Sequence, residues 1–254
     1  MNKINKKFKK KNIISIYFTS GYPKLNSTNF LIKNLEFLGV DLIEVGIPYS
    51  DPIADGITIQ NSNKKSIKNG MNISLLFSQL KKIKNNISIP IVIMGYYNQF
   101  FQFGEKRFIK KCLNYGISGL ILPDLPPEIY KKKYKLIFEK NSLFFINLVT
   151  PNTSNKRIRM LSNLSKGFLY LISSLSTTGS KKNDFDKNQI FFLKKIQKLN
   201  LKIPKLIGFG INNKKLFIAS CNYAEGVIIG SAFIKIIKKT FFEEKIKIFI
   251  KNFQ

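Results

Sequence analysis

The sequence predicts an α/β protein built as a single (β/α)8 barrel of the TIM type. Three observations carry this. Eight short apolar runs recur along the 254 residues, helix-periodic stretches separate them, and no linker or low-complexity stretch divides the chain. Barrels of about 250 residues are one domain, so residues 1–254 are read as a single domain behind a Lys-rich segment, 1–12. A doubly wound open sheet is the alternative for the same alternation.

The strand-like runs fall at 13–18, 41–45, 90–94, 119–122, 143–149, 167–172, 205–207 and 226–229. They are nearly continuous in Ile, Val, Leu and Phe, as parallel strands buried on both faces require. Helical periodicity occupies 29–38, 73–84, 106–115, 128–140 and 191–199, and a last helix is expected over 241–253. Five of these stretches stop at Gly39, Asn85, Gly116, Asn141 and Asn200, residues that tolerate the left-handed turn ending a helix.

Composition removes much chemistry. With no histidine there is no Ser-His-Asp or Cys-His pair and no His metal site, so no metal is expected. Cys112 and Cys221 are too few for a zinc site or disulfide framework and read as free packing thiols. The formal charge of +29 raises nucleic acid as a partner. However, only Arg107, Arg157 and Arg159 among the 43 basic residues carry the guanidinium fork favoured in base and phosphate recognition. The lysines are spread over nearly every helix, which reads as a solvated surface, without nucleic acid. The basic start leads into only six apolar residues before Thr19, Ser20 and Gly21, too few for a signal core. No stretch approaches a membrane span. A soluble, cytoplasmic chain with no membrane role is expected.

A barrel puts its chemistry at the C-terminal ends of its strands and its phosphate after the seventh and eighth. Glu44 sits inside the second strand between Ile43 and Val45, where burial raises a carboxyl pKa toward the range of a general acid. It reads equally as a satisfied core carboxylate. Pro48, Pro52 and Gly56 punctuate a loop carrying Asp51 and Asp55, each a turn former or a site residue. The turns Gly208–Asn213 and Gly230-Ser231-Ala232 are either tight turns or backbone cradles for an anion. Residues 173–181, small and polar around Gly179, form a candidate lid. Tyr170 on the strand before it points either inward or into the core. Tyr96, Tyr97, Phe100, Phe101 and Phe103 line a pocket for a flat ring or pack the core.

The run EVGIPYSDPIADGITIQ at 44–60 resembles the signature of the tryptophan synthase α subunit family. FTSGYP at 18–23, MGYYN at 94–98, LPDLPPE at 122–128, STTGS at 176–180, GFGI at 208–211 and IGSAFIK at 229–235 extend it over essentially the whole chain. The resemblance implies cleavage of indole-3-glycerol phosphate to indole and glyceraldehyde 3-phosphate. It also implies a β-subunit partner in an α2β2 tetramer. That partner would hold pyridoxal phosphate and join indole to serine, and this chain would need no cofactor. By motif, Glu44 and Asp55 correspond to the catalytic pair, and Tyr170 to an active-site tyrosine. Thr178 and Gly179 correspond to a mobile loop, and Gly210, Gly230 and Ser231, with Gly179, to the phosphate cradle. Tyr17 falls where the family often has Phe against the indole. Ile57 and Gln99 stand where the family commonly has Pro, which predicts a looser loop toward the partner.

The residues allow this chemistry. Retro-aldol cleavage needs an electron sink. The strands at 143–149 and 167–172 hold no lysine for a Schiff base, and no histidine exists to hold a metal. The substrate then supplies its own sink, by protonation at indole C3. Glu44 would be that acid, with the resemblance adding the glycerol hydroxyl proton, and Asp55 would face the indole N–H. Three other readings stay open: another phosphate-binding barrel such as an isomerase, an activator of the β subunit without turnover, and a basic nucleic-acid binder.

Overall fold

Residues 2–173, 185–208, 210–239 and 243–254 are described by a computed structural model. Nine parallel strand segments form its sheet: β1 Ile13–Thr19, β2 Leu42–Gly46, β3 Ile91–Met94, β4 Gly119–Ile121, β5 Phe144–Phe145, β6 Leu148–Val149, β7 Leu169–Ile172, β8 Lys205–Gly208 and β9 Gly226–Ile229. Their order is β5-β4-β3-β2-β1-β9-β8-β7-β6. The two ends of this order, β5 and β6, are consecutive pieces of the expected fifth strand, so the sheet is a closed barrel of eight strands.

The fifth strand changes neighbours in its middle. Ile146 N donates to Leu120 O at 3.0 Å, on the β4 side, while Asn147 O accepts from Tyr170 N at 3.0 Å, on the β7 side. The Ser165 hydroxyl occupies Asn147 instead, accepting from its main-chain N at 3.1 Å and its side-chain Nδ2 at 2.9 Å. Every other expected strand appears within two residues of its predicted ends.

Alternation along the strands sorts the core into two shells. Outward residues such as Ile14, Ile16, Ile43, Val45, Ile91 and Leu169 pack beneath the helices. Inward residues, among them Ile13, Leu42, Val92, Ile121, Phe168, Leu206 and Ile228, fill the barrel. Glycines break the inward layers where large rings cross. A side chain at Gly46 would collide with the Tyr17 ring, and one at Gly208 with the Tyr170 ring. Both rings therefore lie over strand ends that lack side chains of their own.

The expected helices at 29–38, 73–84, 106–115 and 191–199 are present as Ser27–Phe37, Ile73–Ile83, Glu105–Asn114 and Lys187–Lys198. The 128–140 stretch is helical throughout but widens to a π turn at Tyr130–Tyr134, and the last helix covers Glu243–Lys251. Cys112 is buried, and burial pushes its thiol up, as it does to about 11 for the half-buried Cys221, so neither thiol is activated. Among the described residues no helix is long and apolar enough to cross a membrane.

The Lys-rich segment forms a short helix, Lys3–Lys7, that stoppers the N-terminal end of the barrel. Ile4 is completely buried in the inner shell with Ile13, Leu42 and Phe168. Asn2 Nδ2 fastens the helix to Ser118 O at 2.8 Å and Ser142 O at 2.7 Å, and Lys10 pairs with Asp41 at 2.6 Å. Ile4→Ala is expected to cost about 2–4 kcal/mol, because the closed barrel end cannot collapse onto the void. A fall in the urea midpoint at unchanged slope measures it; an unchanged midpoint would make the stopper ornamental.

Candidate active site

Glu44 lies on the inner face of β2, in register with Tyr17 of β1 and Val92 of β3. It is completely buried. Ser15, two residues before Tyr17 on the same face of β1, donates its hydroxyl to Oε1 at 3.2 Å, and Oε2 has no partner among the described residues. Desolvation pushes the carboxyl up to about 8, with the Ser15 hydroxyl pulling it part of the way back. At neutral pH the group is therefore mostly a neutral acid whose second oxygen is buried without a hydrogen-bond partner among the described residues.

Asp55 comes from the loop between β2 and the helix Ile57–Lys68. A turn bond from its N–H to Pro52 O at 3.0 Å and a bond from Gln60 Nε2 to its carbonyl at 2.8 Å fix its main chain. Its Oδ2 accepts from the Tyr96 hydroxyl at 3.4 Å. Burial pushes this carboxyl up to about 6, less than Glu44, and the Tyr96 hydroxyl opposes the rise. At pH 7 it is mostly ionised. Asp51, on the same loop, is exposed; its carboxylate accepts from the neighbouring Ser50 hydroxyl and its carbonyl from Ile53 N.

At the C-terminal mouth a cavity of about 210 Å3 opens beside Asp55; Glu44, completely buried, is not among its lining residues. Tyr17, Ile47, Met94, Leu148, Tyr170 and Ile172 give it an apolar wall, and Asp55, Tyr96, Asn63 and Asp124 supply polar edges. Burial and the nearby Asp55 and Glu44 charges raise the Tyr17 and Tyr170 phenols, which stay neutral. The rings of Tyr96 and Tyr49 stack at 4.5 Å beside Asp55. The aromatic cluster thus divides: Tyr96 lines the cavity, whereas Phe100 is core and Phe101 is exposed.

Gly210, Gly230 and Ser231 do not line this cavity. Gly230 adjoins it, since a Cβ there would meet Tyr17 Cδ1 at 3.4 Å. Its carbonyl accepts from Ile234 N at 2.9 Å, opening the helix Ser231–Lys239, whose first N–H groups have no partner within the helix. Gly210 follows Gly208 by two residues, with φ of 83° and open space around it. Thr178 and Gly179, with the rest of the candidate lid from 174 onward, lie outside the described residues. Ser173, just before them, donates its hydroxyl to Gly208 O at 3.2 Å and holds the ends of β7 and β8 together.

Several residues that shape the site were not singled out from the sequence. Ser15 carried a signal, being a polar residue two before Tyr17 in an apolar strand. Asp124 lies within LPDLPPE; its carboxylate accepts from Tyr97 N at 2.8 Å and edges the cavity. Asn63 holds the Tyr49 N–H at 3.0 Å. Neither Asn63 nor Gln99 announces its role locally. The two departures from the family pattern differ in effect. Ile57 is the first residue of its helix, where the N–H lacks a helical partner anyway. Gln99 is bonded at both ends of its amide, to Tyr96 N at 3.1 Å and Pro48 O at 2.8 Å.

Fold and cavity place the chain among the (β/α)8-barrel enzymes. The family model "Tryptophan synthase alpha chain" matches residues 3–252. A tryptophan synthase alpha chain of Karelsulcia muelleri is 56% identical over 99% of this chain and 98% of its own length. One from Bacteroides thetaiotaomicron is 45% identical over 99% of both. A solved variant of the Pyrococcus furiosus alpha-subunit superposes with a TM-score of 0.86 at 30% identity, covering 96% of this chain and 98% of that one. The chain belongs to the tryptophan synthase alpha chain family. It is a lyase, the subunit that cleaves indole-3-glycerol phosphate to indole for a beta subunit.

Proposed function

We propose that Glu44 and Asp55 carry this cleavage, Glu44 as the proton-transfer group and Asp55 as the fixed negative charge. The supporting observation is their difference: two carboxyls at one barrel mouth, one pushed up to about 8 and the other to about 6. In the window between, the site holds one acid and one carboxylate. Glu44 gives its proton to indole C3, and Asp55 opposes the positive charge that then develops at the indole N–H. The bond from C3 to the glycerol carbon breaks, and its electron pair restores the aromatic ring. The adjacent glycerol hydroxyl becomes the aldehyde as its proton returns to Glu44. Products are indole and glyceraldehyde 3-phosphate, and no proton is gained or lost overall.

Tyr17 and Tyr170 flank the ring in the apolar wall. Gly210, Gly230 and Ser231, with Gly179, take the phosphate, helped by the partial positive charge at the start of the helix Ser231–Lys239, and Thr178 and Gly179 belong to the loop that closes on substrate. The chain works as one domain, in the cytoplasm, without a cofactor of its own. Pyridoxal phosphate belongs to the beta partner, and the assembly is α2β2.

Glyceraldehyde 3-phosphate release should rise when the beta partner is added. No release in either condition, with the partner bound and stimulated, would leave an activator without turnover. At saturating substrate, kcat should rise with pH through about 6 as Asp55 ionises and fall through about 8 as Glu44 loses its proton. A flat profile across this range would count against both assignments.

A further inference from the structure

We propose that Gln99 is a positioning residue: its side-chain amide clasps the loops after β2 and β3 and thereby sets the Tyr96 hydroxyl against Asp55. Gln99 lies in the first turn of the helix Tyr97–Phe103. Its Oε1 accepts from Tyr96 N at 3.1 Å, and its Nε2 donates to Pro48 O at 2.8 Å. One amide therefore joins two loops whose sequence positions are about fifty residues apart.

The placement of those two bonds matters more than their number. Tyr96 is one member of the stacked pair beside Asp55, and Pro48 immediately precedes the other member, Tyr49. The clasp fixes the main chain at the foot of both rings. Pro48 also begins the loop that ends at Asp55, so the same bond anchors the near end of the segment presenting the carboxylate. The 3.4 Å contact between the Tyr96 hydroxyl and Asp55 Oδ2 joins the far ends of these two loops. A main-chain bond from Ile47 N to Met94 O at 2.8 Å joins the roots of the two loops, and beyond it the clasp works with the stack and that contact.

The groups facing Asp55 are Tyr96 from the β3 loop, Tyr17 from β1 and Tyr170 from β7. Among the described residues only the Tyr96 hydroxyl donates to it and favours its ionised form, so displacing Tyr96 raises the pH at which Asp55 ionises. A residue that merely stabilised the fold would leave that titration unmoved. This inference rests on the reading of Asp55 as the charge facing the indole, and its test separates the two.

The test follows the Asp55 carboxyl carbon by NMR titration in the whole chain, alongside kcat and KM for indole-3-glycerol phosphate. The variants are Gln99→Met, which keeps length and loses both bonds, and Tyr96→Phe, which keeps the ring and loses the hydroxyl. Gln99→Met is expected to move the Asp55 titration upward, in the same direction as Tyr96→Phe. It should lower kcat about tenfold, with KM changed less than about twofold, as a small misplacement of a reacting group does. An unmoved Asp55 titration in Gln99→Met overturns the inference, whatever happens to the rate. A moved titration with unchanged kcat leaves the clasp standing and removes Asp55 from the chemistry.

Discussion

Glu44→Gln should lower kcat by about a thousandfold or more while indole-3-glycerol phosphate still binds. Gln matches Glu in shape and can still accept the Ser15 hydroxyl, so the barrel interior is undisturbed. What it lacks is a proton to give to C3 and an oxygen to receive the one from the glycerol hydroxyl. A positioned acid or base is worth about 10²–10⁴ in rate, and Glu44 serves in both directions. Steady-state turnover with calorimetric substrate binding checks this, and loss of binding together with turnover would make Glu44 a structural residue.

The same substitution has a second signature in stability. A carboxyl at about 8 in the folded chain against an ordinary 4.5 binds a proton that the unfolded chain has already released. Stability is then lost progressively as pH rises from about 4.5 to about 8 and levels off above. Glutamine carries no such loss. The melting temperature of Glu44→Gln should gain on the parent across this window and by pH 9 exceed it, by the equivalent of a few kcal/mol. A constant difference from pH 5 to 9 would mean that Glu44 is not held as a buried acid.

Asp55→Asn is expected to cost about a hundredfold in kcat, within the range of losing one preorganised electrostatic partner of a developing charge. The amide still occupies the turn and still meets the Tyr96 hydroxyl, but it cannot balance a cation. Because the charge it opposes exists only beyond the ground state, KM should change little. The acid limb near 6 should vanish from the kcat profile while the limb near 8 remains. Persistence of both limbs would move the acid limb to another group.

The barrel was legible because its strands are buried on both sides and read as apolar runs, and because Glu44 interrupts one of them with a charge. The same uniformity concealed the break in the fifth strand. LFFINLV gives no sign of where the chain exchanges β4 for β7, since that depends on Ser165, eighteen residues beyond Asn147. The first dozen residues read as a basic preface. Beyond the bonds of Asn2 and Lys10, they place one isoleucine, Ile4, inside the barrel, a destination no local pattern reveals. Glu44 and Asp55 stood out through residue type and strand position. Ser15 was within reach of the alternation rule. Gln99 and Asn63 act through main-chain partners some fifteen to fifty residues away, and such pairings are products of the closed barrel.

The switch of neighbours between Ile146 and Asn147 makes the barrel wall a strip fastened by a clasp. Elsewhere a strand holds the wall on both edges at once, but here Phe144–Phe145 grips only one side and Leu148–Val149 only the other. The seam is therefore where the wall is held by one edge at a time. Pro123 and Asp124 edge the cavity on one bank of the seam, and Leu148 and Tyr170 on the other. Breathing at this seam would widen the chamber sideways, across the plane in which a flat ring must lie, while Glu44 stays anchored to Ser15 on the opposite wall. Such a widening would leave the bond between Ser15 and Glu44 untouched, because β1 and β2 stay paired from Ser15 to Thr19.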